Sequence, residues 1–398
     1  MSSESDQTII RLHLPAIPHT ITINEFSHCA FTGKVLRFSP MMIKQGYEVY
    51  HYGVETSEPN ATVNIDILQK DEWNKLRIQS YKTLKNLNDV SDEEVLQLLE
   101  NNKKFVGDLA NINTILYKTF NVKFREALIK NYRSSKTDII CLPYGKSHDL
   151  ALENLDVVSV ESGIGYPDSY RNYRIFESYA WLHYTIGKEK INCPNYFFVA
   201  PNYYNVLEFP LSLKPEKNKI GFFGRICDVK GLCVIVDIAK RFPDVEFVIC
   251  GQGDPDKYLT EPNIKYKEPI HSSERGEFLG SLTGMIAPSL YVEPFCGSAV
   301  EAQLTGCPVI CFAHGAFLET VENFKTGLHC HTLQDFCYGV QMCLDNKFDR
   351  QYIGDRSRKL YDMYNVSKQY DYIFRNIMDV HNGSNGWYSK NTYIEKLL

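Results

Sequence analysis

Pro288-Ser-Leu-Tyr-Val-Glu-Pro-Phe-Cys-Gly-Ser-Ala-Val-Glu-Ala-Gln-Leu-Thr-Gly-Cys-Pro-Val-Ile-Cys311 is the stretch on which the reading of this chain turns. It carries two glutamates eight positions apart, Glu293 and Glu301. Glu293 stands among loop formers, Pro294 and Gly297. The spacing predicts a helix with Glu301 about one turn inside it, stopped by Gly306 and Pro308 ahead of an apolar strand. The start of that helix leaves a row of backbone N–H groups at 295–298 without partners, with one carboxylate on each side. A helix N-terminus attracts anions, phosphate above all. The carboxylates would repel a phosphate, but they accept hydrogen bonds from hydroxyls. A nucleotide sugar carries hydroxyls on both sides of its diphosphate.

Working outward, strand-like and helix-like segments alternate. Upstream lie Lys219-Ile-Gly-Phe-Phe-Gly224, a helix from Gly231 to Arg241, Val245-Glu-Phe-Val-Ile-Cys250, a short strand at Ile264 to Lys267 and Met285-Ile-Ala-Pro288; Pro308-Val-Ile-Cys-Phe312 follows. The first half opens with Ile9-Ile-Arg-Leu-His-Leu14, a polar loop, a helix from Thr32 or Gly33 to Lys44, and Tyr47-Glu-Val-Tyr-His-Tyr52. Strands return at Asp138–Leu142 and Asp156–Val160, and Ser91-Asp-Glu-Glu94 has capping-box spacing. The pattern predicts two Rossmann-like, doubly wound α/β domains with a cleft between the carboxyl ends of their strands. The first covers residues 1–213, with a helical elaboration over about 60–135. The second covers 214–365, and a helical segment, 366–398, crosses back to the first. Residues 195–215 read as an interdomain linker.

Composition removes several classes. The 398 residues suffice for two full cores, and a net charge of −5 without a dense basic block argues against nucleic-acid binding. No apolar run approaches the length of a membrane span. The N-terminal Met-Ser-Ser-Glu-Ser-Asp-Gln is polar and acidic, unlike a signal peptide. Twelve cysteines with no C-x-x-C pair, several of them in strand-like runs, point to a reducing, cytoplasmic setting. His329-Cys-His331 and Cys307 with Cys311 lack a second ligand pair at zinc spacing, so neither metal nor cofactor is expected.

The missing positive charge comes from Phe222-Phe-Gly-Arg-Ile-Cys-Asp-Val-Lys-Gly231. Arg225 and Lys230 follow a strand and flank a turn. A diphosphate leaving group needs cations most as its bond to the sugar breaks, and these two plus helix N–H groups supply them without a metal. Surface cations without a ligand are the alternative.

Gly224-Arg225…Lys230-Gly231, Cys250-Gly-Gln-Gly253 and Glu293-Pro-Phe…Glu301-Ala302…Gly306-Cys-Pro-Val309 together resemble the signatures of the family 4 glycosyltransferases, retaining and metal-independent enzymes of the GT-B fold. The resemblance spans the second domain and is thinner in the first. It implies that Arg225 and Lys230 hold the donor diphosphate, and that Glu301 binds the ribose hydroxyls and Glu293 those of the donor sugar. Gly224 and the backbone at Phe295, Cys296, Gly297 and Ser298 would meet the donor, and Gly33 would let the first domain's helix approach the diphosphate. Arg275 falls where relatives contact the nucleobase; a helix-surface charge is the other reading.

Two departures stand out. Relatives have glycine directly after Glu-x-Phe, where this chain has Cys296, and its Cβ would narrow the approach of ligand to backbone. A nucleophilic role for Cys296 finds no support in neighbours that would lower its pKa. Many relatives carry a histidine at the end of the strand before the cleft; here Glu161 either takes that place, stabilising an oxocarbenium ion, or only orients its loop. Gly251-Gln-Gly253 lacks the third glycine of a dinucleotide fingerprint, and Asp254-Pro-Asp256 reads as a turn before a metal pair. The loops Pro18-His19-Thr20 and His28-Cys-Ala-Phe-Thr-Gly33 lie where an acceptor would bind; His13, His19, His28 and His148 belong there or to the core. The expected function is a retaining transfer of a hexosyl or pentosyl group from a UDP- or GDP-linked sugar to a hydroxyl of a glycan or other acceptor. A sugar-nucleotide epimerase, a phosphorylase and a non-catalytic binding scaffold remain as alternatives.

Overall fold

The computed structural model describes residues 9–27, 29–101, 106–191, 196–270 and 272–383. Met1 to Gln7, His28 and the end of the expected C-terminal segment lie outside the described residues. In chain order the first elements are β1 (Arg11–Pro15), α1 (Ala30–Ile43), β2 (Glu48–Val54), β3 (Val63–Leu68), α2 (Lys70–Lys85), α3 (Asp92–Asn101), α4 (Ile115–Asn131), β4 (Asp138–Leu142), α5 (Asp149–Leu152), β5 (Ser159–Ile164), β6 (Tyr173–Phe176), α6 (Tyr179–Glu189) and β7 (Phe197–Val199). The seven strands form one parallel sheet in the order β3-β2-β1-β4-β5-β6-β7, so the winding reverses between β1 and β4. Tyr52, Trp73, Phe120, Phe124, Ile140 and Leu142 pack into one core on this sheet. His13, in β1, bonds Tyr52 Oη at 2.7 Å and Asp138 Oδ2 at 3.0 Å, tying β1 to both neighbours through a buried polar contact. Ser91 and Glu94 form the expected capping box, with Glu94 N donating to Ser91 Oγ at 3.2 Å and Ser91 N to Glu94 Oε2 at 3.0 Å.

The chain continues through β8 (Lys219–Phe223), α7 (Leu232–Ala239), β9 (Glu246–Cys250), β10 (Ile264–Lys267), α8 (Ser272–Ser281), β11 (Gly284–Ala287), α9 (Gly297–Leu304), β12 (Val309–Phe312), α10 (Phe317–Thr320), β13 (Gly327–Cys330), α11 (Leu333–Leu344), α12 (Arg350–Tyr361) and α13 (Met363–Asn382). Its strands form a second parallel sheet, β10-β9-β8-β11-β12-β13. Both faces are buried, one under Phe222, Leu232, Phe247 and Phe336, the other under Leu279, Ala299, Cys311 and Phe317. Parallel sheets need this double cover, and the continuous apolar strands reflect it.

The chain divides into two compact units. The first runs to Phe176, takes back residues up to Ala200 that include β7, and takes the chain again from Ser367; the second holds Glu177–Asn192 and Pro201–Val366. The second unit therefore begins earlier than the expected boundary at 213/214, and local bonds account for it. Ser178 Oγ donates to the Pro294 carbonyl at 2.6 Å, and Glu319 accepts from the N–H groups of Tyr179 and Ala180 at 2.9 and 2.7 Å. Residues 201–213 are likewise fastened: Tyr204 N donates to Tyr361 O at 2.9 Å and Ser212 N to Thr305 O at 3.0 Å. From Phe197 onward the expected linker is thus a strand followed by docked chain. In the first unit, Tyr370 and Phe374 of α13 meet Phe38 edge-on, and Tyr47 Oη donates to Asp371 at 2.7 Å.

Candidate functional site

The end of β8 lies on the loop after β9. Gly224 N donates to Cys250 O at 3.1 Å and Ile226 N to Gln252 O at 2.8 Å. A Cβ on Gly251 would fall 1.7 Å from Gly224 O, and one on Gly253 would fall 2.3 Å from Ile226 O. Gly251-Gln-Gly253 is thereby explained as a bed for the loop that carries Arg225 and Lys230. The loop closes in a 3-10 turn, Asp228–Lys230, whose Asp228 accepts from Tyr258 Oη at 2.6 Å and pairs with Lys257. The next residue, Gly231, has φ of 71°, and a Cβ there would sit 1.9 Å from the Pro288 carbonyl oxygen. Leu290 N donates to Val229 O at 2.9 Å, so the turn is pinned to the chain leaving β11.

This docking brings Lys230 Nζ to 2.6 Å from Glu293 Oε1 and 3.0 Å from Tyr291 Oη. Ser289 Oγ donates to Glu293 Oε1 at 2.5 Å, and Tyr291 Oη donates to Glu293 Oε2 at 2.8 Å. Glu293 is only 3% exposed. Burial by itself lowers the Lys230 pKa, but the charge of Glu293, with Cys296 and Tyr291, outweighs it and raises the pKa, so the ammonium persists. Burial, then Glu293, push the Tyr291 hydroxyl up to about 12, and it remains a donor.

Beyond Glu293 the chain enters α9, with Cys296 as its N-cap at φ 61° and ψ 72°. A left-handed residue with a side chain costs roughly 1–2 kcal/mol, which gives the physical reason glycine suits this position. The Cys296 carbonyl accepts from Ala299 N at 3.1 Å and from Val300 N at 3.4 Å, so of the first turn it is the N–H groups of Gly297 and Ser298 that precede the helix's own bonds. Burial, with Glu293 adding to it, drives the Cys296 thiol up to about 12, which disfavours a nucleophilic thiolate. Phe295 is buried edge-on against Tyr361, and a Cβ on Gly297 would meet Tyr204 Oη at 2.8 Å. Ser298 Oγ lies 3.7 Å from Cys296 Sγ. One turn into α9, Glu301 Oε1 is 3.4 Å from Arg275 Nη1, and the Arg275 guanidinium lies 5.5 Å from the centre of the Phe223 ring. Gly306, at φ 85°, ends the helix with its Cβ position 2.7 Å from Arg350 O.

The structure therefore joins Lys230 with Glu293 beside Cys296, and Arg275 with Glu301, at the two ends of the first turns of α9. Arg225 is exposed after Gly224 and belongs to neither pair. Asp254 Oδ1 accepts from Asp256 N at 3.0 Å, the expected turn. Among the described residues no group of three His, Cys, Asp or Glu side chains is placed to hold a metal ion.

Gly33 and Glu161 lie in the first unit. Gly33 sits in the first turn of α1, where a Cβ would make ordinary contacts at 3.4 Å to Arg37 and 3.5 Å to Ser27 O. Glu161, expected in a loop after a strand over Asp156–Val160, lies inside β5, which begins three residues later than that strand. The shift arises because Ser159, Val160 and Glu161 take the register opposite Ile140, Cys141 and Leu142. Glu161 is fully buried, accepting from Tyr166 Oη at 3.1 Å and from the N–H groups of Tyr170 and Arg171 at 2.8 Å each. Its carboxylate thus organises the loop into β6. Burial raises its pKa, against these hydrogen bonds. His13, His19 and His148 are core residues: His19 bonds Tyr117 Oη at 2.7 Å, and His148 lies between Phe120 and Phe124.

Tyr291 and Ser289 do not stand out in the sequence. Both belong to the Pro288–Cys311 stretch, yet their hydroxyls acquire a role only when the β8 loop docks there.

Residues 206–360 match the family model described as glycosyl transferases group 1. An uncharacterized glycosyltransferase of Methanocaldococcus jannaschii is 24% identical over 187 residues, 43% of this chain and 48% of that protein. A D-inositol 3-phosphate glycosyltransferase of a Mycobacterium species is 28% identical over 149 residues, 34% of this chain and 34% of that protein. The chain thus spans about half the length of the first relative and about a third of the second. Among solved structures, Anabaena HepE in complex with UDP and glucose aligns with a TM-score of 0.62 at 13% identity, over 91% of this chain and 98% of that one. The fold, two parallel-sheet α/β units, is that of the GT-B glycosyltransferases. No helix among the described residues is long and apolar enough to cross a membrane.

Proposed function

We propose that the protein is a retaining glycosyltransferase that moves a sugar from a UDP- or GDP-linked donor to an acceptor hydroxyl, without a metal ion and in the cytoplasm. The observation that carries this reading is the Lys230–Glu293 pair, 2.6 Å apart, set immediately before Gly297 and Ser298 at the N-terminus of α9. A nucleoside diphosphate suits that arrangement: Lys230, Arg225 and the helix start meet its charge, while Glu301 and Glu293 accept hydroxyls on either side. The departing phosphate oxygen takes the acceptor's proton as the C–O bond to the sugar breaks and the new one forms on the same face. The chain's share is electrostatic stabilisation of the leaving diphosphate and orientation of the sugar through Glu293. Arg275, paired with Glu301, is assigned to the nucleobase end.

The test is release of nucleoside diphosphate from UDP- and GDP-sugars, with and without acceptors that include simple glycans and D-inositol 3-phosphate, the compound named for the mycobacterial relative. Acceptor-dependent release with the anomeric configuration kept supports the reading. Binding without release points to a scaffold, an altered sugar on intact nucleotide to an epimerase, and phosphate-dependent cleavage to a phosphorylase.

A further inference from the structure

We infer that Tyr291 is a positioning residue for the donor sugar, holding Glu293 in place when Lys230 turns to the diphosphate; the inference rests on the transfer reading above. Lys230 has one ammonium group, and in this arrangement it is shared between Glu293 Oε1 at 2.6 Å and Tyr291 Oη at 3.0 Å. A diphosphate at the start of α9 offers it more negative charge than one carboxylate. Once the ammonium moves, Glu293 is a buried carboxylate with two remaining donors, the hydroxyls of Ser289 and Tyr291. They bind different oxygens, Oε1 and Oε2, and so fix both the position and the rotation of the carboxylate plane. A carboxylate offers about four acceptor sites, so with two of them taken Glu293 keeps lone pairs for a sugar hydroxyl, and the fixed plane decides where they point. The Tyr291 side chain suits this role, because its ring is half-buried and its hydroxyl remains protonated beside Glu293. Ser289, fully within the protein, secures one oxygen and cannot stop rotation about it.

The decisive variant is Tyr291→Phe, which keeps the ring and removes only the hydroxyl. Affinity for UDP and GDP alone is measured by titration calorimetry, and kcat and KM are measured with UDP-glucose, UDP-galactose and GDP-mannose as probes. The expected result is nucleotide affinity within about twofold of wild type, a fall of at least about tenfold in kcat/KM with the preferred sugar, and a narrower preference among donors of the same base. Unchanged kcat/KM and donor preference in a wild type that turns over would overturn the inference alone. A parallel loss of nucleotide affinity and turnover would do the same, since it marks damage to the whole site. A wild type that releases nucleotide from none of the three donors overturns the transfer reading and this inference with it.

Discussion

A Cβ placed on Gly231 would stand 1.9 Å from the carbonyl oxygen of Pro288, so the two backbones approach too closely for any side chain to stand between them. The turn that ends in Lys230 depends on that approach. Gly231→Ala meets both a backbone clash and a left-handed φ, and should cost roughly 2–4 kcal/mol while moving Lys230 off Glu293. Thermal unfolding and nucleotide titration would read the two effects together. A variant with wild-type melting and nucleotide affinity would show that the turn does not depend on this glycine.

Lys230 and Glu293 form a nearly buried pair, so the effect of removing one partner mixes stability with chemistry. Lys230→Met should lower turnover by about 10²-fold or more, by analogy with the loss of a transition-state donor, and should also destabilise through the stranded carboxylate. The double variant Lys230→Met with Glu293→Gln should regain most of the lost stability and none of the turnover. A double-mutant cycle on melting and rate separates these terms; recovered turnover would remove Lys230 from the chemistry.

Cys296 occupies a left-handed position with a buried thiol. Cys296→Gly exchanges relief of roughly 1–2 kcal/mol of backbone strain for the loss of a small buried side chain, so denaturant stability should stay within about 1 kcal/mol of wild type. Cys296→Val should be clearly worse, since branched side chains tolerate this conformation least. Turnover that survives Cys296→Gly would also dispose of any thiol nucleophile.

Three histidines of the first unit are neutral by burial: His19 and His148 are each lowered to about 3, and His51 to about 4, from an ordinary 6.5. Their folded pKa lies below the unfolded one, so the unfolded chain takes up more protons and stability falls as pH drops below about 6.5. At pH 5 each has lost about 2 kcal/mol, and the three together about 6 kcal/mol, comparable with the whole stability of a domain. Asp138, whose hydrogen bonds to His13 and Arg133 overcome burial and lower it to about 2, gives way only at stronger acid. Hydrogen exchange at pH 5 should show β1, β2 and β4 losing protection before β8, β9 and β12. Simultaneous loss in both sheets would contradict this account.

Gly33 has room for a methyl group within its own unit and a helical backbone. Gly33→Ala should therefore melt within about 1 kcal/mol of wild type. If the glycine serves a diphosphate, the same variant should lose donor turnover by about tenfold or more, an order set by one disturbed phosphate contact. Intact turnover would remove Gly33 from the site.

How far the site is legible in the sequence follows from what each part depends on. Glu293 before a helix, Glu301 one turn in and Gly306 at its end are local relationships, and the structure has them as the spacing implies. β5 runs past its expected end because Ser162 and Gly163 carry no apolar signature, though Ser162 and Ile164 pair with Ile175 and Phe176 of β6 on either side of an irregularity at Gly163. β6, β7 and β13 are short and draw their stability from pairing, which no window of sequence contains; β3, six residues long, lies within the polar stretch 60–135 that reads as helical. Cys296 stands out in the sequence as a departure, but as an obstructing Cβ. The structure locates the difficulty in the backbone dihedral. Tyr291 depends on two loops meeting, and its role is out of reach until β8 and β11 are known to be neighbours.

The chain passes between its two units at 176/177, again before and after β7, and at 366/367. Neither unit is a contiguous piece that a protease or a truncation could release intact. Residues 201–366 alone would leave Glu319 without the N–H groups of Tyr179 and Ala180, and residues 1–200 alone would expose Phe38 and Tyr47 where Tyr370 and Phe374 had packed. Exchanging either unit with that of a relative would therefore need four junctions, and a chimaera spliced at one would inherit two incomplete cores.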